Sequence, residues 1–152
     1  MGLAQAFPEA ALPDVDGRLA PLGRAWAEGP ALVILGHRNC KTTRQTLPYV
    51  DRMHRRGARV LAVLQDDPET ARDLARELDL ALPMRLEGDP YPLAAALGIA
   101  TVPTLMLVDP SGAIVAASEG FARDDIESFA GRLGLEPPLI VPEDGAPART
   151  PG

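Results

Sequence analysis

"ALVILGHRNCKTTRQTLP", residues 31–48, decides the fold. Its first part, ALVILG (31–36), is an unbroken apolar run rich in branched side chains. Such a run reads as a strand buried on both faces. Its second part opens a helix: from Lys41 to Arg56, Leu47, Val50 and Met53 recur at helical spacing, with Pro48 inside the segment and expected to kink it. Cys40, the only cysteine of the chain, stands at the junction between the two.

The same pattern of buried strand and amphipathic helix continues outward. Upstream, DVDGRLA (14–20) carries an Asp-Gly turn between short segments, a hairpin signal. Downstream, ARVLAVL (58–64) is a second buried strand. Asp67, Pro68 and Glu69 then supply an N-cap, a proline at the first helical position and an acid in the first turn, so a helix is expected to about Leu78. PMRLEG (83–88) reads as a short strand, and YPLAAALG (91–98) as a short helix closed by Gly98. TLMLVD (104–109) and AIVAAS (113–118) read as strands of a hairpin around a Pro-Ser-Gly turn. RDDIESFAGRLG (123–134) is the last helix, with Ile126, Phe129 and Leu133 on one stripe. The order predicts an α/β fold, a central mixed β-sheet with helices on both faces. Residues 1–136 form the expected domain; the proline-rich 137–152 are expected as an irregular, flexible tail.

A net charge of −6 over 152 residues argues against nucleic acid, which selects a basic face. No segment is long and apolar enough for a transmembrane helix. MGLAQAFPEAALP (1–13) lacks the basic start and apolar stretch of a secretory signal. A single cysteine forms no internal disulfide, and both features lead to an expected cytoplasmic location. No His/Cys/carboxylate spacing for a metal and no glycine-rich phosphate loop is legible, so no cofactor is expected. Asp66, Asp67, Glu69, Glu77 and Asp79 read as helix caps and surface charge.

A thiol at a helix start meets unpaired backbone N–H groups and the positive end of the helix dipole. The dipole favours an anion there by ~0.3–1 kcal/mol. Thr43, three positions on, faces back toward Cys40, and a hydrogen bond from its hydroxyl would favour the thiolate by a further ~1.5–3 kcal/mol. Arg38, Lys41 and Arg44 add a positive field, and His37 is a candidate proton donor or acceptor. The competing reading makes Cys40 a small buried hydrophobe, His37 a polar loop residue and Lys41 an exposed side chain.

The stretches LPDVDGRLAPL (12–22), 31–48, GIATVPTLMLVDPSGAIV (98–115) and the last helix together resemble the thioredoxin-like superfamily. Within it they are most similar to bacterial thiol-disulfide reductases and AhpC/TSA-type redoxins. The resemblance implies a redox-active Cys40 and a cis Pro103 beside it. It also implies that Val102 offers its backbone to a substrate by strand addition. Arg38 and Asn39, on the loop before the thiol, join Val102 as candidate substrate contacts, and Cys40, Thr43, Pro103, His37 and Lys41 are the candidate catalytic set. The chain departs from the family pattern in several places. Its motif is Cys-Lys-Thr-Thr, so Thr43 replaces the second cysteine. Asn39 takes the aromatic position, and Ile34 stands where thioredoxins bury an acid. His37 and Val33 occupy the positions where peroxiredoxins carry a hydroxyl and a proline.

The expected activity is therefore thiol-disulfide exchange by one cysteine, on a disulfide-containing protein or with a small-molecule thiol. An external thiol reductant would complete turnover. A one-cysteine peroxiredoxin-like antioxidant peroxidase is the alternative enzyme, and a non-catalytic thioredoxin-like binding module is the alternative of another class.

Overall fold

The structure, a computed structural model, describes residues 2–152. The chain runs β1 (Ala11–Pro13), β2 (Leu19–Pro21), β3 (Ala31–Gly36), α1 (Lys41–Arg55), β4 (Val60–Leu64), α2 (Pro68–Leu78), β5 (Met84–Leu86), α3 (Pro92–Leu97), β6 (Thr104–Val108), β7 (Ile114–Glu119), β8 (Phe121–Ala122), α4 (Arg123–Arg132) and β9 (Arg149–Thr150). The central sheet has the order β5-β4-β3-β6-β7. β3 pairs parallel with β4 and antiparallel with β6, so the sheet is mixed, as the sequence predicts.

The period-two alternation of β3 builds both layers of the core. Leu32 and Ile34 point to one face, where they meet Leu47, Val50 and Met53 of α1, Leu74 of α2 and Ile126 and Phe129 of α4. Val33 and Leu35 point to the other, where they meet Leu93 and Leu97 of α3 with Phe7 and Trp26. All six residues of β3 are buried. Each of its large aliphatic side chains contributes ~1.5–3 kcal/mol by leaving water. That is why this strand sits at the centre, with the residues after it held at the sheet's end.

Local signals place the helices. Asp67 caps α2 by accepting the Thr70 N–H at 2.7 Å, with Pro68 in the first turn. α1 continues through Pro48 to Arg55. Asp51, buried in α1, accepts the N–H groups of Ala81 and Leu82 and pairs with Arg55. Burial raises its carboxyl, and these donors more than offset that, so it lies below the usual range.

The segment 137–152 differs from the expected flexible tail, because it is packed. Leu139 and Ile140 are buried in the α1/α4 layer. Glu127 accepts both of their N–H groups. Arg52 donates to the Leu139 carbonyl and grips Asp144 with two nitrogens, at 2.8 and 3.0 Å. β9 then pairs antiparallel with β8. Proline-rich composition disfavours helix and sheet, but these side-chain contacts hold irregular backbone without either. No helix is long and apolar enough to cross a membrane among the described residues.

Candidate active site

Cys40 is the N-cap of α1, with extended backbone (φ −90°, ψ 117°). Its own N–H donates to the His37 carbonyl at 3.2 Å, closing a turn over residues 37–40. That turn is fixed from the neighbouring strand: the Arg38 N–H donates to Asp66 Oδ2 at 3.0 Å. Gly36 and Leu64 are register partners at the ends of β3 and β4, so Asp66, just past β4, stands beside the turn. Burial pushes the Asp66 carboxyl above its ordinary range, while the Arg38 N–H and nearby His37 pull the other way.

The sulfur has two polar neighbours. It accepts the backbone N–H of Thr43 at 3.4 Å and lies 3.5 Å from the Val102 carbonyl oxygen, to which the thiol donates. The Val102–Pro103 peptide bond is cis, and Pro103 is buried. Cys40 itself is partly exposed. The site therefore has a partly exposed sulfur with a donor aimed at it and the backbone that leads into β6 alongside.

The Thr43 expectation needs correcting. The donor to sulfur is the backbone amide, because an N-cap side chain faces the N–H of the third helical residue. The Thr43 hydroxyl is fully buried and finds no hydrogen-bond partner among the described residues. It packs instead on Gly36, where an added β-carbon would stand 2.6 Å from Thr43 Oγ1. Only glycine fits at that point, which accounts for the residue that ends β3.

The cations divide. Arg38 and Arg44 both pair with Glu77 of α2, each at 2.9 Å, leaving the surroundings of the thiol less positive than the sequence implies. The Arg44 guanidinium, with that of Arg38, holds the Glu77 carboxyl below the usual range. Arg38 is thus paired with Glu77 in this structure. Lys41 and Asn39 are exposed, and His37 is half-buried.

The structure brings Cys40, Thr43, Val102 and Pro103 together, with His37, Arg38, Asn39 and Lys41 around them. Sequence reading missed Asp66, Glu77 and Thr42. The first two were read as caps or surface charge, yet one anchors the turn before the thiol and the other gathers two arginines. Thr42 donates its hydroxyl to the Pro151 carbonyl at 2.6 Å, bringing the segment 149–152 to the site. Those partners lie far away in sequence, and no local pattern signals them.

Strand order, the cysteine at the head of α1 and the cis proline before β6 define a thioredoxin-like fold. No family model and no curated protein matches the chain. Solved structures do. The thioredoxin domain of a thiol-disulfide oxidoreductase from Bacteroides vulgatus superposes with a TM-score of 0.74 at 20% identity, covering 87% of this chain and 97% of that one. A thiol:disulfide interchange protein from Bacteroides sp. gives 0.67 at 22%, covering 86% and 93%. The peroxidoxin BcpB from Mycobacterium tuberculosis gives 0.71 at 14%, covering 88% and 96%.

Proposed function

We propose that the chain is a thiol-disulfide exchange protein that uses Cys40 as its single reactive thiol. The observation that carries this reading is the seat of the sulfur, which has the Thr43 N–H at 3.4 Å and the Val102 carbonyl at 3.5 Å. A helix N-terminus stabilises the thiolate, the nucleophilic form. The Cys40 thiolate attacks one sulfur of a disulfide. The S–S bond breaks, the other sulfur leaves as a thiolate and takes a proton from water, and a mixed disulfide forms at Cys40. An external thiol then attacks that mixed disulfide and releases Cys40 with its electrons restored, since Thr43 replaces a resolving cysteine. Such a thiol is abundant in a reducing cytoplasm, where we place the reaction. No cofactor takes part.

Each neighbouring side chain has a role in this scheme. Asp66 and the turn it anchors hold Cys40 at the helix head. In this scheme Lys41, exposed on the first turn, is assigned to accompany the charge of the leaving thiolate, and His37, half-buried in the turn before Cys40, to pass a proton. Val102 and the buried Pro103 shape the edge beside the sulfur.

The likeness to a peroxidoxin supports a second reading, a one-cysteine peroxidase. In that reading, peroxide oxidises Cys40 to a sulfenic acid and an external thiol reduces it. Exchange ranks first because the Thr43 hydroxyl is turned onto Gly36, and among the described residues no side-chain hydroxyl hydrogen-bonds the sulfur. Reacting the reduced protein with a small disulfide and weighing the product tests the proposal. A mixed disulfide should form on wild type and not on Cys40→Ser. An unmodified wild-type mass would favour the binding-module reading.

A further inference from the structure

The strand edge beside Cys40 is already occupied. The Thr42 hydroxyl, in the first turn of α1, donates to the Pro151 carbonyl at 2.6 Å. On the other side of the sulfur, a β-carbon on Gly152 would stand 2.5 Å from the Val102 carbonyl oxygen and 2.7 Å from Thr101 Oγ1. Residues 151 and 152 thus bridge from the helix that carries the thiol to the peptide that precedes Pro103. The approach to them is guided. Arg123 N–H donates to the Ala148 carbonyl at 2.9 Å, and β8 and β9 pair at Phe121↔Thr150 and Ala122↔Arg149. Gly120 lets the strap pass: a β-carbon there would lie 2.5 Å from the Thr150 carbonyl oxygen.

We infer that residues 149–152 are a strap lying where an extended peptide would add to the Val102 edge, so that the site's substrates are small disulfides rather than extended polypeptides. The inference rests on the exchange reading above. A small disulfide needs only the partly exposed sulfur. A peptide disulfide needs the edge as well, and must first displace the strap. Displacement is local: Leu139, Ile140 and Asp144 anchor the chain upstream, whereas Pro151 and Gly152 are exposed and held by the short ladder and the Thr42 hydroxyl.

The test compares two disulfides with the same leaving group. One is 2,2′-dithiodipyridine; the other is a short peptide whose cysteine carries the thiopyridyl group. Cys40 attacks the peptide sulfur and pyridine-2-thione is released, so both reactions are followed by its absorbance. Wild type should react with the peptide at least about tenfold more slowly than with the small disulfide. Thr42→Val, and separately the combined Arg149→Gly, Thr150→Gly and Pro151→Gly variant, should raise the peptide rate by about tenfold and leave the small-disulfide rate within about twofold. Amide exchange supplies a reading on wild type alone: in the peptide mixed disulfide, the amides of the β8–β9 ladder should lose protection. A peptide rate unchanged in both variants, or a β8–β9 ladder equally protected in the mixed disulfide, would overturn the strap. If wild type released no pyridine-2-thione from the small disulfide, the exchange reading itself would fall, and the strap's role with it.

Discussion

The sulfur of Cys40 and the carbonyl oxygen of Val102 stand 3.5 Å apart, although 62 positions separate them in the chain. Two structures meet there: the head of α1, set by the buried strand before it, and the cis Val102–Pro103 bond, set at the start of β6. A thiol in that position has a helix N-terminus behind it and the backbone that leads into β6 beside it. The expectations below follow from how each neighbour holds this arrangement.

Thr43→Val should leave Cys40 chemistry intact. The donor to sulfur is the Thr43 backbone N–H, which valine keeps. The buried hydroxyl has no partner among the described residues, and removing such a group relieves a desolvation cost of ~1–3 kcal/mol. Urea unfolding should show a gain of about 1 kcal/mol, with the iodoacetamide rate within about twofold of wild type. A loss of stability together with a slower thiol would mean that the hydroxyl is engaged after all.

Gly36→Ala should destabilise the fold by about 1–3 kcal/mol, because its methyl would meet Thr43 Oγ1 at 2.6 Å and Cγ2 at 2.7 Å in a packed interior. Adding Thr43→Ala removes both of those atoms. The double variant should therefore recover part of the loss, a non-additivity readable in a double-mutant cycle. Simple additivity of the two changes would contradict the contact.

The Arg52–Asp144 pair sets an acid limit on the packing of the 137–152 segment. Hydrogen bonds from Arg52 hold the Asp144 carboxyl down at about 2. A depressed folded value adds stability that is complete above the unfolded value of about 3.9 and fades as pH falls through about 2. Protection of the Leu139 and Ile140 amides should follow that course. Asp144→Asn should flatten the part of the acid response that Asp144 supplies; an unchanged acid profile would count against the pair.

Asp66 should act as a positioning residue. Asp66→Ala leaves the Arg38 N–H without its acceptor and frees the turn before the thiol, whereas Asp66→Asn keeps an oxygen there. Exchange at Cys40 should slow several-fold in the alanine variant and recover in the asparagine one. Burial raises the folded Asp66 value, so wild type should lose stability relative to Asp66→Asn as pH rises through it. A parallel pH dependence for the two proteins would contradict that assignment.

The sequence carried the frame of this site better than its fittings. The β3 and β4 segments are wholly apolar and β6 is apolar after Thr104, so their burial was readable, and Asp67-Pro68-Glu69 announced α2 through local capping chemistry. Cys40 fell between two such signals and was placed by them. The 137–152 segment was misread because its composition resembles disorder, while its restraints come from Arg52 and Glu127, distant residues with no local pattern. Asp66 and Glu77 were misread for the same reason: an acid near a helix end looks like a cap until its partner on another element is known. The Thr43 hydroxyl was assigned to the sulfur by helical spacing, which fixes the residue but not which of its two donors turns inward.

The most direct test mixes the reduced protein with 2,2′-dithiodipyridine and, in parallel, with micromolar hydrogen peroxide, and follows Cys40 by mass spectrometry. The account expects rapid, stoichiometric mixed disulfide from the first. It expects peroxide oxidation little faster than that of a free thiolate, because among the described residues no side-chain hydroxyl hydrogen-bonds the sulfur. Fast, stoichiometric sulfenic acid at that peroxide concentration, with sluggish disulfide exchange, would contradict it.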